Sequence, residues 1–264
     1  MSFTPLESPP SSISPSALSP GWRMLHNQFI LPDFEDILHK SKTINQLINE
    51  STIIKKNSNS KLGASGTASI YEFPNGKKYI VRKTPSGFRT GSRLLNEIKI
   101  YRILLSSPNY KKYISNLVYA DAHLASSNPF SFFVFEYEEG NVLDKYIIEN
   151  KGKLSINDVM KIYENLQESV DFLALNNIVH KDLKPENIYI TKDNDTLLFD
   201  FDTSCIGSEC LSVSEFSGSP QYATPKSMTI RGQEGFTVTT KIYKYSPVYD
   251  KYSLAIILNN DLKN

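Results

Sequence analysis

His180-Lys181-Asp182-Leu183-Lys184-Pro185-Glu186-Asn187-Ile188-Tyr189-Ile190, followed after a short polar turn by Leu197-Leu198-Phe199-Asp200-Phe201-Asp202, is the stretch that decides the fold. It sets Asp182, Asn187 and Asp200 beside short apolar runs that read as strands. Carboxylates and an amide offer hard oxygen donors, the kind a small divalent cation takes. The same residue types also favour turns through local side-chain hydrogen bonds. Turn chemistry alone, however, calls for no flanking His, Lys, Pro and Glu. The layout suits a metal-nucleotide held beside a hydroxyl group that is to lose its proton.

The 264-residue chain is 40% hydrophobic and 22% charged, ordinary for a globular protein, and long enough for one large domain or two packed lobes. Its formal net charge of +1 and its lack of a basic patch give no bias towards nucleic acid or an acidic membrane. No apolar run approaches the roughly 18 residues that span a bilayer, and no basic-then-apolar leader opens the chain. A soluble, intracellular protein is expected. Cys205 and Cys210 make neither a disulfide framework nor a four-ligand zinc site. Free thiols are the expectation, with a redox pair as the alternative.

Working outward, residues 1–22 are Ser/Pro-rich and read as a disordered tail. Residues 23–50 read as a helical extension, with an interruption near 40–43. From 51 to 137 strands dominate. One hairpin encloses Leu62-Gly63-Ala64-Ser65-Gly66-Thr67-Ala68-Ser69-Ile70, and Asn75-Gly76 predicts a two-residue turn into a strand carrying Lys83. Ser92 is the expected cap of a helix containing Glu97. Two more strands cover 116–123 and 131–137. Residues 138–264 are mainly helical. Ser155 to Asp158 gives a capping signal for a long helix to about 175, with Ile156, Val159, Met160, Tyr163, Leu166, Val170 and Leu173 on its face. Taken singly, the glycines are an ordinary strand turn, Lys83 a solvated lysine and Glu97 a helix-face acid. Their order, read with Asp182, Asn187 and Asp200, is what carries meaning.

In that order the chain resembles a eukaryotic-type protein kinase of the serine/threonine branch over roughly 55–258. The resemblance implies an α+β, two-lobe protein-kinase-like fold: a five-stranded antiparallel sheet plus helix, then a mainly helical lobe shortened after its central helix. It implies ATP and Mg2+ as cofactors and transfer of the γ-phosphoryl group to a protein substrate's Ser/Thr hydroxyl. Asp182 would take the hydroxyl proton and Lys184 would neutralise charge on the transferred group. Asn187 and Asp200 would hold magnesium, and Lys83, oriented by Glu97, the α- and β-phosphates. The residues from Leu62 through Gly63, Ala64, Ser65, Gly66, Thr67, Ala68 and Ser69 to Ile70 would cover the nucleotide. Leu62 and Ile70 would lie over the base, Phe135 behind it, and Glu136 and Glu138 would meet its edge through backbone groups.

The chain departs from the family pattern at several places. Ser65 and Ala68 stand at usual glycine positions, Lys181 replaces the catalytic-loop arginine, and Asp202 follows the metal-binding pair in place of glycine. Lys226 stands where the family has a glutamate, in a segment, 218–226, resembling the end of an activation segment. Serines 204, 208, 212, 214 and 217 are candidate phosphosites whose phosphate Lys181 would pair with. The helix at 250–258, with Asp250 bracing the catalytic loop, is the last expected, so its apolar face and that of 155–175 would be partly exposed, or covered by a protein partner or by 227–247. The alternative to an enzyme is a pseudokinase, a nucleotide- or partner-binding module on the same fold.

Overall fold

The computed structural model describes residues 23–25, 27–62, 66–124, 128–211, 218–224 and 245–262. The tail 1–22, the loop residues 63–65, serines 212, 214 and 217, Lys226 and nearly all of 227–247 lie outside the described residues. The architecture is the expected α+β pair of lobes. The first lobe runs through β1 (Arg23–Leu25), β2 (Gln28–Ile30), α1 (Pro32–Ser41), α2 (Ile44–Asn49), β3 (Thr52–Leu62), β4 (Gly66–Glu72), β5 (Lys78–Pro85), α3 (Phe88–Leu105), β6 (Leu117–Asp121) and β7 (Phe130–Glu136). Its antiparallel sheet has seven strands in the order β1-β2-β6-β7-β5-β4-β3, two more than the five expected.

The extra pair corrects the helical reading of 23–50. Gln28 pairs with Asp121 and Ile30 with Tyr119, so the extension first covers the open edge of β6 and only then turns helical. The interruption near 40–43 is present: Lys42 has φ +64, and the Thr43 hydroxyl caps α2 by accepting from Gln46 N at 3.2 Å. These helices place Phe34, Ile44 and Leu47 against Phe73, Tyr79, Val81, Phe132 and Val134, making a second core on the outer face of the sheet. Between β4 and β5 the hairpin loop has three residues rather than two. Phe73 N donates to Lys77 O, and Gly76 alone takes positive φ, +76. Helix α3 starts earlier than expected, with Gly87 as its N-cap and Ser92 inside it.

The second lobe holds β8 (Gly140–Val142), α4 (Leu143–Glu149), α5 (Ile156–Leu175), β9 (Ile178–Val179), β10 (Ile188–Thr191), β11 (Thr196–Leu198), β12 (Cys205–Ile206) and α6 (Pro247–Ile256), whose last turn widens over Ile257–Leu262. Ser155 and Asp158 form the expected capping box on α5. Ile162, Leu166, Val170 and Leu173 of α5 are buried in one core with Leu254 and Ile257. The expected exposure of apolar faces is thus confined to residues such as Ile156, Met160, Leu175 and Val248.

Cys205 and Cys210 are not free thiols; they form a disulfide with Cα atoms 5.2 Å apart. A short 3₁₀ turn, Gly207–Leu211, with Gly207 at φ +49, brings the chain back on itself. The bridge is buried against Val179, Ala223, Tyr245 and Tyr249.

Two outcomes are expected. Phe34, 2% exposed and in ring contact with Phe73, Tyr79 and Tyr119, carries the extension, so Phe34→Ala costs about 3–5 kcal/mol in denaturant unfolding. Thiol titration of unfolded, unreduced protein finds no free cysteine; Cys205→Ser with Cys210→Ser lowers stability by about 2 kcal/mol, as expected for so short a loop.

Candidate active site

The candidate catalytic loop is held from below. Asp250, fully buried on α6, accepts from His180 N at 2.7 Å and Lys181 N at 3.0 Å, the bracing expected of it. Lys181 takes φ +69, which the two bonds to one carboxylate hold in place. The His180 ring lies 3.1 Å from Phe199 O through Nε2 and packs on Phe201. Gly218, at φ +113, passes so close that a Cβ there would meet Lys181 O at 2.3 Å, so only glycine fits this approach.

On that frame Asp182 is half-buried at the centre of a polar network. Its Oδ2 accepts from Lys184 Nζ at 2.8 Å and from Asn187 Nδ2 at 3.2 Å, and its Oδ1 accepts from Ser219 Oγ at 2.8 Å. Lys184 Nζ also donates to Ser219 Oγ at 2.9 Å. Asp182, Lys184 and Asn187, named from the sequence, therefore converge, and Ser219 joins them from a segment that the sequence marked only as a motif.

The strand cation is Arg82, not Lys83. In β5, Tyr79, Val81 and Lys83 point to the outer face, whereas Ile80 and Arg82 point inward, the alternation every strand imposes. Lys83 Nζ accordingly sits 3.8 Å from the centre of the Phe130 ring. The buried Arg82 guanidinium pairs through Nη2 with Glu97 and through Nη1 with Asp200 at 3.2 Å, and lies over Phe133 at 4.4 Å. Burial works against this cation, but the Glu97 and Asp200 carboxylates outweigh it and raise its pKa. Burial pushes the Glu97 carboxyl up to about 7, with Arg82 opposing. Asp200 takes φ +66, unusual for a residue with a side chain. Arg82 Nε, Glu97 Oε1 and Tyr101 Oη are buried without hydrogen-bond partners among the described residues.

A cavity of ≈ 100 Å³ opens beside Arg82, lined among others by Ala68, Ile70, Ile80, Phe135, Tyr189 and Phe199. The β3–β4 hairpin lies above it. Ile70 faces Lys55 across the ladder, and Lys55 and Ile70 both line the cavity; the Leu62 side chain lies outside the described residues. Gly66, Thr67, Ala68 and Ser69 lie on β4; Gly63, Ala64 and Ser65 fall outside the described residues. Glu136 turns its side chain to Asn116 and Lys111, and Glu138 is exposed in the connector. Ile80, Tyr189 and Phe199 were missed because large hydrophobic and aromatic residues carry no specific chemical signal in a sequence; inward alternation from Arg82 finds Ile80.

For a metal, the candidate donors are Asn187 and Asp200. Asn187 commits its amide nitrogen to Asp182, to O at 2.8 Å as well as to Oδ2, leaving its carbonyl oxygen as donor. Arg82 engages Asp200 through Oδ1. Among the described residues no three His, Cys, Asp or Glu side chains form a metal cage; the donor set fits an ion that completes its shell with phosphate and water. Asp202, beyond Asp200, is pushed up to about 6 by burial and then by the Asp200 charge. Lys181 is buried, its Nζ 5.0 Å from the Tyr245 ring, and burial lowers it to about 8. Of the candidate phosphosites, Ser204 is buried and donates to His180 O, while Ser208 is exposed.

Comparison with known proteins gives a match of a protein kinase domain family to residues 40–263. The liver/testis phosphorylase b kinase gamma catalytic chain of Rattus norvegicus is 39% identical over 100 residues, covering 38% of this chain and 24% of that protein. A probable serine/threonine-protein kinase KIN1 homologue of Encephalitozoon cuniculi is 28% identical over 171 residues, 64% of this chain and 26% of the relative. The serine/threonine protein kinase OSK3 of Oryza sativa subsp. indica is 26% identical over 198 residues, 69% and 35% respectively. The chain thus spans about a quarter to a third of the length of these relatives.

Removing Arg82 leaves two buried carboxylates unpaired. Arg82→Met is expected to cost about 3–5 kcal/mol in denaturant unfolding, whereas Lys83→Met costs about 1 kcal/mol or less. Equal losses would return Lys83 to the site.

Proposed function

The chain belongs to the protein kinase domain family, matched over residues 40–263, and on that premise we propose that it is an ATP- and magnesium-dependent serine/threonine protein kinase. The observation that carries the reading is the alcohol on the candidate base: Ser219 Oγ donates to Asp182 Oδ1 at 2.8 Å with Lys184 Nζ 2.9 Å from the same Ser219 oxygen. A hydroxyl brought to that carboxylate can pass it a proton as its oxygen attacks. Lys184 then stands where negative charge gathers on the group being transferred.

The remaining residues take positioning roles in this reading. Asn187 and Asp200 would hold magnesium, and Arg82, oriented by Glu97, would take the phosphate-facing place first assigned to Lys83. The β3–β4 hairpin, with Gly66, Thr67, Ala68, Ser69 and Ile70, would cover the nucleotide, Phe135 would back the base, and main-chain groups of Glu136 and Glu138 would meet its edge. Magnesium-bound ATP supplies the phosphoryl group and the positive charge that steadies its oxygens. The acceptor is a Ser or Thr hydroxyl of a protein substrate, in keeping with the names of the Encephalitozoon and Oryza relatives.

Purified protein with magnesium and labelled ATP is expected to phosphorylate itself or a generic basic protein, and Asp182→Asn to lower the rate by at least about a hundredfold. Folded wild-type protein that binds nucleotide yet transfers nothing with magnesium or manganese would overturn the enzyme reading and leave a nucleotide-binding module.

A further inference from the structure

One face of α3 is occupied by the chain that follows Asp200. Arg93 Nη1 lies 3.7 Å from Asp202 Oδ2. Asn96 Nδ2 donates to the carbonyl oxygens of Asp202 at 3.2 Å and Ser204 at 2.9 Å. Lys99 Nζ pairs with Glu209 Oε1 at 2.6 Å. Arg93, Asn96 and Lys99 are spaced by three, which keeps successive contacts on one side of a helix over two turns. One residue along, Glu97 faces Arg82 from the same helix. The stripe therefore ties the helix that carries Glu97 to the segment that carries Asp200.

The three contacts are not equal. Lys99 and Glu209 are half exposed, and such pairs contribute little. Asn96 reads only backbone, which any residue at 202 would supply. The Arg93 pair needs the Asp202 carboxylate, whose side chain is 15% exposed, and no glycine at that position could make it. We propose that Asp202 is a positioning residue that, with Arg93, clamps α3 against the post-Asp200 segment and so keeps Glu97, Arg82 and Asp200 assembled for the nucleotide. This rests on the kinase reading for its catalytic consequence, though not for the clamp itself.

Asp202→Asn removes the charge and keeps shape and carbonyl. It is expected to raise the KM for ATP about fivefold, the factor an ordinary ion pair supplies, with the KM for a peptide substrate unchanged. Asp202→Glu restores it, and Arg93→Gln combined with Asp202→Asn is no worse than the worse single change. Hydrogen exchange of α3 amides, which needs no catalysis, is expected to quicken about fivefold in Asp202→Asn and not in Asp202→Glu. Unchanged exchange together with unchanged ATP KM, or fully additive single effects, would overturn the clamp. Absent phosphoryl transfer in wild type with quickened exchange in Asp202→Asn would sink the kinase reading alone.

Discussion

The buried guanidinium of Arg82, shared by Glu97 and Asp200, is the contact on which the arrangement of the two lobes depends. It joins β5, α3 and the stretch between β11 and β12 at one point. Burying three charges is unfavourable unless each is met by an opposite charge in good geometry, so the elements that carry them fit together in one register only. A planar fork suits this position better than a point charge, because separate nitrogens reach separate carboxylates. Phe133 lies under the guanidinium and adds a favourable cation–π contact. Tyr101, one turn along α3 from Glu97, meets Phe201 edge-on, so the apolar contact beside the ion pair closes the same joint.

The opposite side of the site depends on Asp250. A single carboxylate accepts from two successive amides of the catalytic loop, fixing Lys181 in a conformation that costs about 1–3 kcal/mol in isolation. Asp200 occupies the same left-handed region. Both strained residues flank Asp182, one by sequence and one across the cleft, and each is restrained by an ionic partner rather than by apolar packing alone. The strain is therefore compensated by groups that also place the functional side chains.

The catalytic loop was legible in the sequence because a plain turn needs its Asp and Asn but not the His, Lys, Pro and Glu set around them; Asp182, Lys184, Asn187, Asp200 and Asp250 all lie where their motifs put them together. The long helix α5 was legible from its cap and its apolar period. What failed was a choice between neighbours. Arg82 and Lys83 are adjacent cations, and only the alternation of β5 against Val81 and Tyr79, which point to the outer core, tells them apart. The β1–β2 pair was hidden because three-residue strands are too short to show a period, and their pairing depends on an edge of β6 about ninety residues away. The disulfide was hidden because spacing alone does not say whether a turn closes, and the glycine that closes it, Gly207, reads as an ordinary loop residue.

Two features, the buried arginine at 82 and the aspartate at 202 where the family pattern has glycine, become intelligible once their charges are counted together. Arg82 and Arg93 bring two positive charges to the site, and Glu97, Asp200 and Asp202 bring three negative ones. The additional acid at 202 makes its ion pair with Arg93, while the direct ion pairs of Arg82 go to Glu97 and Asp200. Among these five side chains the carboxylates outnumber the guanidiniums by one, and Lys181 brings a further positive charge towards Asp202. Burial first pushes Asp202 and Glu97 upward, and the Asp200 charge adds to it against the opposing guanidiniums. A cation held by Asp200 and Asn187 would offset the repulsion that the Asp200 charge exerts on Asp202 and Glu97, and in the proposed reaction magnesium would bring that charge. In that reading the acidic residue at 202 would add to the attraction for the cation, while its pairing with Arg93 directs the same carboxylate towards α3.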